Sequence, residues 1–247
     1  CVTQVQKKLK IQTCMGFDIR SGCAGFGTAL TIADTYITAG RAKKVLVIGA
    51  DLLSSRFTQL PVQKYKVKQV FNHMFFGDSA GAVILSESND EGFIYSEMAS
   101  DRANIERGSD IVIGGSDYPY PTEKVDEEIW PIHQANNLSE KNLSEVLIQT
   151  LENMVNKTGV ILSDIDAFIM PIESKKIKNI VLSKFPDIRE SQIYSGEENG
   201  ALINGSIPLT LDKLVRKGQI KEGSKIVIYA AENTQWQHAI IYMKWKR

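Results

Sequence analysis

One cysteine carries the clearest chemistry in the chain. Gly16-Phe17-Asp18-Ile19-Arg20-Ser21-Gly22-Cys23-Ala24-Gly25-Phe26-Gly27 runs from a short apolar stretch into Cys23, which has small residues on both sides. Phe26, Leu30, Ala33 and Ile37 then recur three or four residues apart, the spacing of one helical face. Cys23 therefore falls where a strand turns into a helix. A helix N-terminus presents N–H groups without intrahelical partners and the positive end of the macrodipole, and both favour thiolate over thiol. Cysteines of low pKa occur in such settings, and small neighbours let a substrate come close. A lone cysteine elsewhere reads as a small buried hydrophobe. At this turn it reads as a nucleophile.

Such a turn needs a strand before it and a helix after it. Residues 17–21 read as a buried strand and 24–39 as the nucleophile helix, closed by Gly40. Upstream, residues 2–10 read as a basic amphipathic helix. Downstream, residues 44–50 form a continuous apolar run of the kind central parallel strands show. The pattern is lost over 54–72, where Lys64-Tyr65-Lys66-Val67-Lys68 alternates as an edge strand or a flap over the site. Residues 75–86 read as a glycine-rich strand pair turned at Gly77-Asp78. Residues 99–131, with Gly114-Gly115, Pro119, Pro121 and Pro131, read as a long surface excursion, a feature that is usually functional or mobile. Leu143, Leu147, Leu151 and Val155 mark a long helix closed at Gly159. A strand at 167–170, a basic helix at 175–184, a helix at 204–216 and antiparallel-compatible strands at 225–230 and 239–244 complete the chain. Strands alternating with helices argue for a layered α/β fold. The Cys23 turn and the Pro171 turn are both strand ends opening onto helices, and both would face a shared crevice.

Composition sets the outer bounds. A chain of 247 residues can bury a substantial core as one large domain or two ordinary ones. Its 43% hydrophobic and 23% charged residues are ordinary for a soluble globular protein. With 29 basic and 29 acidic residues, no bulk field draws it to nucleic acid or to an acidic membrane. No apolar run reaches transmembrane length and no secretory signal pattern opens the sequence. Cys1, Cys14 and Cys23 lack metal-ligand spacing, and their odd count fits reduced thiols in a cytoplasmic protein. Cys1 and Cys14 read as packing residues, and no metal or cofactor is expected.

The segment Phe17-Asp18-Ile19-Arg20-Ser21-Gly22-Cys23-Ala24-Gly25-Phe26 resembles the nucleophile segment of the β-ketoacyl-acyl-carrier-protein synthase III family, in the thiolase superfamily. The likeness continues in family order through Ala33-Asp34, Lys44-Val45-Leu46-Val47-Ile48-Gly49-Ala50-Asp51 and Phe76-Gly77-Asp78-Ser79-Ala80-Gly81-Ala82-Val83. It extends to Leu162-Ser163-Asp164-Ile165-Asp166-Ala167-Phe168 and Gly205-Ser206-Ile207-Pro208-Leu209. The resemblance implies an α/β thiolase-like fold of two similar βα halves in a layered α-β-α-β-α arrangement. The halves would be 1–90, carrying the nucleophile, and 91–247. It also implies a βαβ segment ahead of the nucleophile, so the physical protein is expected to be longer. A dimer through the strand preceding Cys23 is implied as well, either a homodimer or a heterodimer with a related ketosynthase.

Family members use Cys, His and Asn, the last two polarising a malonyl thioester while carbon dioxide leaves. The resemblance puts Ile172 at the histidine position, followed by Glu173, and Ala201 at the asparagine position. Neither Ile172 nor Ala201 can donate a hydrogen bond to a developing oxyanion. The glycine-rich loop before the last strand is replaced by Ala231-Glu232-Asn233-Thr234-Gln235-Trp236, where N–H groups near Asn233 and Thr234 are oxyanion candidates. His73 and His238 read as structural. His133, in Trp130-Pro131-Ile132-His133-Gln134-Ala135-Asn136, copies a family string but stands before the long helix. It reads as a chance copy, with a displaced auxiliary histidine as the alternative.

Three readings follow: an acyltransferase loading Cys23 from an acyl-CoA or acyl-carrier-protein thioester, a decarboxylative condensing enzyme with substitutes such as His133 or Glu173, or a non-catalytic subunit. The retained cysteine argues against the third and the lost histidine against the second, so acyl transfer is favoured, with weak or absent malonyl decarboxylation. Lys175, Lys176, Lys178 and Lys184 share one helix after the Pro171 turn, with Lys175 and Lys178 on one face. Surface lysines commonly form a solvated face. The resemblance implies instead that this helix docks an acidic acyl carrier protein.

Overall fold

The computed structural model describes residues 1–54, 76–100, 109–111, 132–134, 136–171, 175–196, 200–234 and 236–246. Helix α1 is Val2–Lys8 and α2, the helix that follows Cys23, is Gly25–Thr38. Strands β1 (Lys44–Asp51), β2 (Ser79–Ser86), β3 (Phe93–Ser100), β4 (Ser109–Ile111) and β5 (Ile132–Gln134) follow. Next come α3 (Asn136–Thr158), β6 (Ala167–Ile169), α4 (Lys175–Lys184), β7 (Ile193–Tyr194), α5 (Ser206–Arg216), β8 (Lys225–Ala231) and β9 (Gln237–Lys244).

Strand β8 shows why the layers form. It is buried from Ile226 to Ala230 and sends alternate side chains to opposite faces. Val227 and Tyr229 join Phe168, Ile240 and Tyr242 against Leu147, Leu151 and Met154 of α3 and Ile177 and Val181 of α4. Ile226, Ile228 and Ala230 join Ala167, Ile169 and Ile241 against Phe26, Leu30 and Ala33 of α2 and Ile207, Leu211 and Leu214 of α5. The sheet so sandwiched has five strands in the order β3-β9-β8-β6-β7. β6 runs parallel to β7 and β8, whereas β9 is antiparallel to β8 and β3. On the far side of α2 and α5 lies the β1–β2 sheet, whose Val47 enters the same cluster with Val45, Val83 and Leu85 beside it. The described residues thus build an α-β-α-β stack, four of the five layers that the sequence implies. Each Leu, Ile or Phe removed from water in these clusters contributes about 1.5–3 kcal/mol.

Several elements differ from the sequence reading. Residues 17–21 are not a buried strand: Phe17 is 49% exposed and its ring lies 6.1 Å from that of Tyr36. An apolar run becomes a strand only with ladder partners, and none of the described strands supplies them there. Among the described residues β1 has no parallel neighbour and pairs antiparallel with β2, from Lys44 opposite Ser86 to Asp51 opposite Ser79. Its outer face, with Leu46 and Ile48, is exposed, so an apolar run did not mean burial on both sides. Gly77-Asp78 does not turn a hairpin. Phe76 bridges Ala201, while the strand that follows pairs with β1. β3 runs on to Ser100, and within the excursion β4 and β5 pair antiparallel. The alternating stretch 64–68 lies outside the described residues.

A backbone contact at β1 holds the two sheets' worth of structure in register around α2. A Cβ on Gly49 would sit 2.7 Å from the carbonyl carbon of Asn204 and nearer still to its oxygen. Gly49→Ala is therefore expected to destabilise the protein by about 1–3 kcal/mol or more. Gly92, with nothing within 4 Å of such a Cβ, serves as control. Its alanine variant should stay within about 0.5 kcal/mol in the same urea titrations.

Candidate active site

Cys23 lies in a 3-10 turn, Gly22–Ala24, that feeds directly into α2. The turn begins in the left-handed region, at φ +49° for Gly22, which glycine adopts without penalty. Ala24 is fully buried and its N–H donates to the Ser21 carbonyl at 3.0 Å, whereas Cys23 is half-buried and outside any disulfide. The helix that the sequence places after the nucleophile is therefore present, and Cys23 stands at its entrance.

A chain of hydrogen bonds secures that entrance from the far end of the sequence. The Phe26 N–H donates to Asn204 Oδ1 at 2.9 Å. The Asn204 main-chain N–H donates to Asp51 Oδ2 at 2.8 Å, and its Nδ2 donates to Asp51 Oδ1 at 3.4 Å. Burial pushes the Asp51 carboxyl above its ordinary value, partly offset by the two Asn204 hydrogen bonds. The folded state thus keeps this proton to higher pH than the unfolded chain, so ionising Asp51 opposes folding as pH rises through that window. Close by, the Gly77 N–H donates to the Ala201 carbonyl at 3.1 Å, and Ser79 Oγ donates to the Leu202 carbonyl at 2.7 Å. The loop carrying the family's second motif is thereby fixed between β2 and α2.

The third wall is the β8–β9 connection. Glu232, 4% exposed, accepts on Oε2 from the Thr234 N–H at 2.7 Å and from the Thr234 hydroxyl. Its Oε1 accepts from the Gln237 N–H at 2.9 Å. The Glu232 stem packs on the nucleophile turn: its Cβ and Cγ lie 3.2 and 3.3 Å from where a Cβ on Gly22 would be. A cavity of about 210 Å³ flanks the turn, lined by Ser21, Thr28, Met98, Ala99, Ser100, Gln237 and His238.

The residues singled out from sequence separate into groups. Cys23 stands at the start of α2, which Asn204, three residues after Ala201, and Glu232, just before Asn233–Thr234, both reach. Asn233 and Thr234 are half-buried, and the Thr234 N–H is held by Glu232 rather than aimed at a substrate. Ala201 is 2% exposed. His133 lies in β5, its backbone opposite Asp110. His238 is buried and stacks on Tyr229 with ring centroids 6.5 Å apart, in keeping with a structural part. Ile172, Glu173 and His73 lie outside the described residues. On α4, Lys175 and Lys176 are exposed, Lys178 pairs with Glu190 at 3.0 Å and Lys184 with Glu152 at 3.0 Å. Lys176 and Lys184 rim a shallow groove of about 700 Å³ floored by Ile148 and Ile180.

Sequence reasoning missed Asp51, Asn204 and Glu232 as site residues. Asp51 and Glu232 each follow an apolar strand run, a position where a polar side chain emerges at the strand end. Asn204 opens the helix read at 204–216, and nothing local shows that its side chain reaches α2.

A layered α/β stack with a cysteine at a helix entrance defines a thiolase-type fold. Models of the 3-oxoacyl-[acyl-carrier-protein] synthase III family match residues 17–102, and of its C-terminal region residues 155–241. The chain is 31% identical over 232 residues to β-ketoacyl-[acyl-carrier-protein] synthase III 1 of Vibrio parahaemolyticus, covering 92% of this chain and 66% of the relative. It is 30% identical over 253 residues to the synthase III of Psychromonas ingrahamii, covering 97% and 71%. In structure it is similar to the Thermus thermophilus synthase III, with a TM-score of 0.79 at 20% identity over 99% of this chain and 72% of that one. The chain belongs to the 3-oxoacyl-[acyl-carrier-protein] synthase III family. It spans about two thirds of the length of these relatives.

Asn204→Ala removes an acceptor from the Phe26 N–H and the Nδ2 donor from a half-buried carboxylate, while the main-chain N–H at 204 still donates to Asp51. It is expected to cost about 1–3 kcal/mol in chemical denaturation. The loss should shrink toward low pH, where a protonated Asp51 needs that donor less.

Proposed function

We propose that the protein is an acyltransferase of ketosynthase III type that takes an acyl group from a coenzyme A or acyl-carrier-protein thioester onto Cys23. The observation that carries this reading is the half-buried Cys23 at the entrance of α2, embedded in the family's motif order. Its thiolate attacks the thioester carbonyl, the tetrahedral intermediate collapses, and the donor thiol leaves with a proton. The acyl group then passes to an acceptor nucleophile. For the oxyanion we assign donors from the nucleophile turn, since the Thr234 N–H is engaged by Glu232. The relatives' shared name favours a second reading, decarboxylative condensation in fatty-acid or polyketide biosynthesis. Against it stands Ala201, a methyl group at the position aligned with the family's asparagine. We assign the activity to the cytoplasm and to a dimer. Among the described residues no helix is long and apolar enough to cross a membrane.

Incubation with a panel of acyl thioesters followed by digestion and mass spectrometry should place the adduct on Cys23. Cys23→Ala should abolish it while leaving the unfolding midpoint nearly unchanged. An adduct on exposed Cys14, or none with any donor, would reject the assignment.

Lys175 and Lys176 are the α4 lysines we assign to docking an acidic carrier protein, because both are exposed at the start of the helix that follows the Pro171 turn. Reversing both to glutamate should slow acylation from a carrier-protein donor about tenfold at low salt and less at high salt. Acylation from an N-acetylcysteamine ester should not change. Equal losses with both donors would assign the lysines to the fold.

A further inference from the structure

Glu232 is a buried carboxylate that the acyl-transfer scheme does not use. It binds its own turn through the Thr234 N–H at 2.7 Å, the Thr234 hydroxyl and the Gln237 N–H at 2.9 Å, and its main-chain N–H donates to the Gln237 carbonyl at 2.9 Å. These bonds fix where the connection between β8 and β9 runs. The same side chain lies against Gly22, with Cβ, Cγ and Oε2 at 3.2, 3.3 and 3.5 Å from the position of a Cβ there. Gly22 in turn sits at φ +49°, one residue before the nucleophile. No larger side chain fits at Gly22 without moving Glu232, and Glu232 cannot move without releasing three acceptor contacts.

From this arrangement we infer that Glu232 is a positioning residue for Cys23, its carboxylate bracing the β8–β9 connection against the Gly22–Ala24 turn. The inference rests on the acyl-transfer reading of Cys23 for its catalytic consequence, but the bracing itself does not. A hydrophobic stem of similar length would preserve the contact with Gly22 and lose the hydrogen bonds. An amide would preserve the contact and one acceptor oxygen, while presenting its NH2 group to donors. The two substitutions therefore separate packing from bracing.

The test compares wild type, Glu232→Gln and Glu232→Leu in two measurements. Hydrogen exchange followed by mass spectrometry reads the peptide spanning residues 20–26, which is more than 200 residues away in sequence from the substitution. Exchange there should rise in the leucine variant and rise less in the glutamine variant, with peptides from α4 unchanged. Acylation of Cys23 from a small thioester should fall about tenfold or more in the leucine variant, chiefly in the maximal rate rather than in half-saturation, with partial recovery in the glutamine variant. Unchanged exchange at 20–26 in both variants would overturn the inference. So would acylation at the wild-type rate in the leucine variant, because packing alone would then suffice. Faster acylation in the leucine variant would overturn it too, by showing that the carboxylate competes with substrate for the Thr234 and Gln237 donors. If the wild-type protein takes no acyl group, the acyl-transfer reading fails and the exchange result alone decides the part played by Glu232. Should the leucine variant fail to fold, the glutamine variant carries both measurements.

Discussion

The structure depends on how the first turn of α2 is held. Its Phe26 N–H has no partner within its own helix, and it is satisfied by Asn204, a residue 178 positions later in the chain. Asn204 is itself held by Asp51, at the end of β1. A single amide therefore ties the nucleophile helix, the β1–β2 sheet and the loop of the family's second motif into one arrangement. The close approach of Gly49 to the Asn204 backbone has the same consequence, since it allows no slack between strand and loop. Glu232 closes the remaining side by resting on Gly22. The residues on either side of Cys23, Gly22 and Phe26, are thus held by Glu232 and Asn204 from the last quarter of the chain.

This arrangement explains why a polar cluster persists in an apolar setting. Burial raises the Asp51 carboxyl and so works against its charged form, and the cost is offset only while Asn204 donates to it. Partly satisfied networks of this kind are costly, whereas satisfied ones specify one geometry. The layers on either side are apolar and close-packed, with Gly27 of α2 admitting Ala230 and Ala239 of the central sheet. The energy of the fold resides in those layers. The placement of the turn that carries Cys23 resides in the contacts at their edge.

Most of the layered fold was legible in the sequence, because periodicity reports burial. The face of α2, the long α3, the basic α4 and the antiparallel pair β8–β9 all follow from spacing alone. Residues 17–21 and the pairing of β1 were not legible, because an apolar run does not reveal which strands lie beside it. Within the site, Cys23 was legible from its small neighbours and the helix that follows. Asn204 and Glu232 were not, because each acts across a separation that leaves no local pattern. The helical placement of Lys178 was foreseen, but its partner Glu190 follows α4, across a turn whose path spacing does not give.

The central claim is that the site can accept an acyl group yet lacks the donor at position 201 that an enolate requires. Carbon dioxide release from a malonyl thioester, measured per equivalent of acyl-Cys23 formed by the same preparation, tests it most directly. Near-stoichiometric loading of Cys23 with release about a hundredfold or more below ordinary enzymatic turnover is the predicted result, since loss of a single oxyanion donor costs on the order of a hundredfold or more in rate. Steady release at ordinary enzymatic turnover would contradict it, and would mean that another group stands in for the donor that Ala201 cannot be.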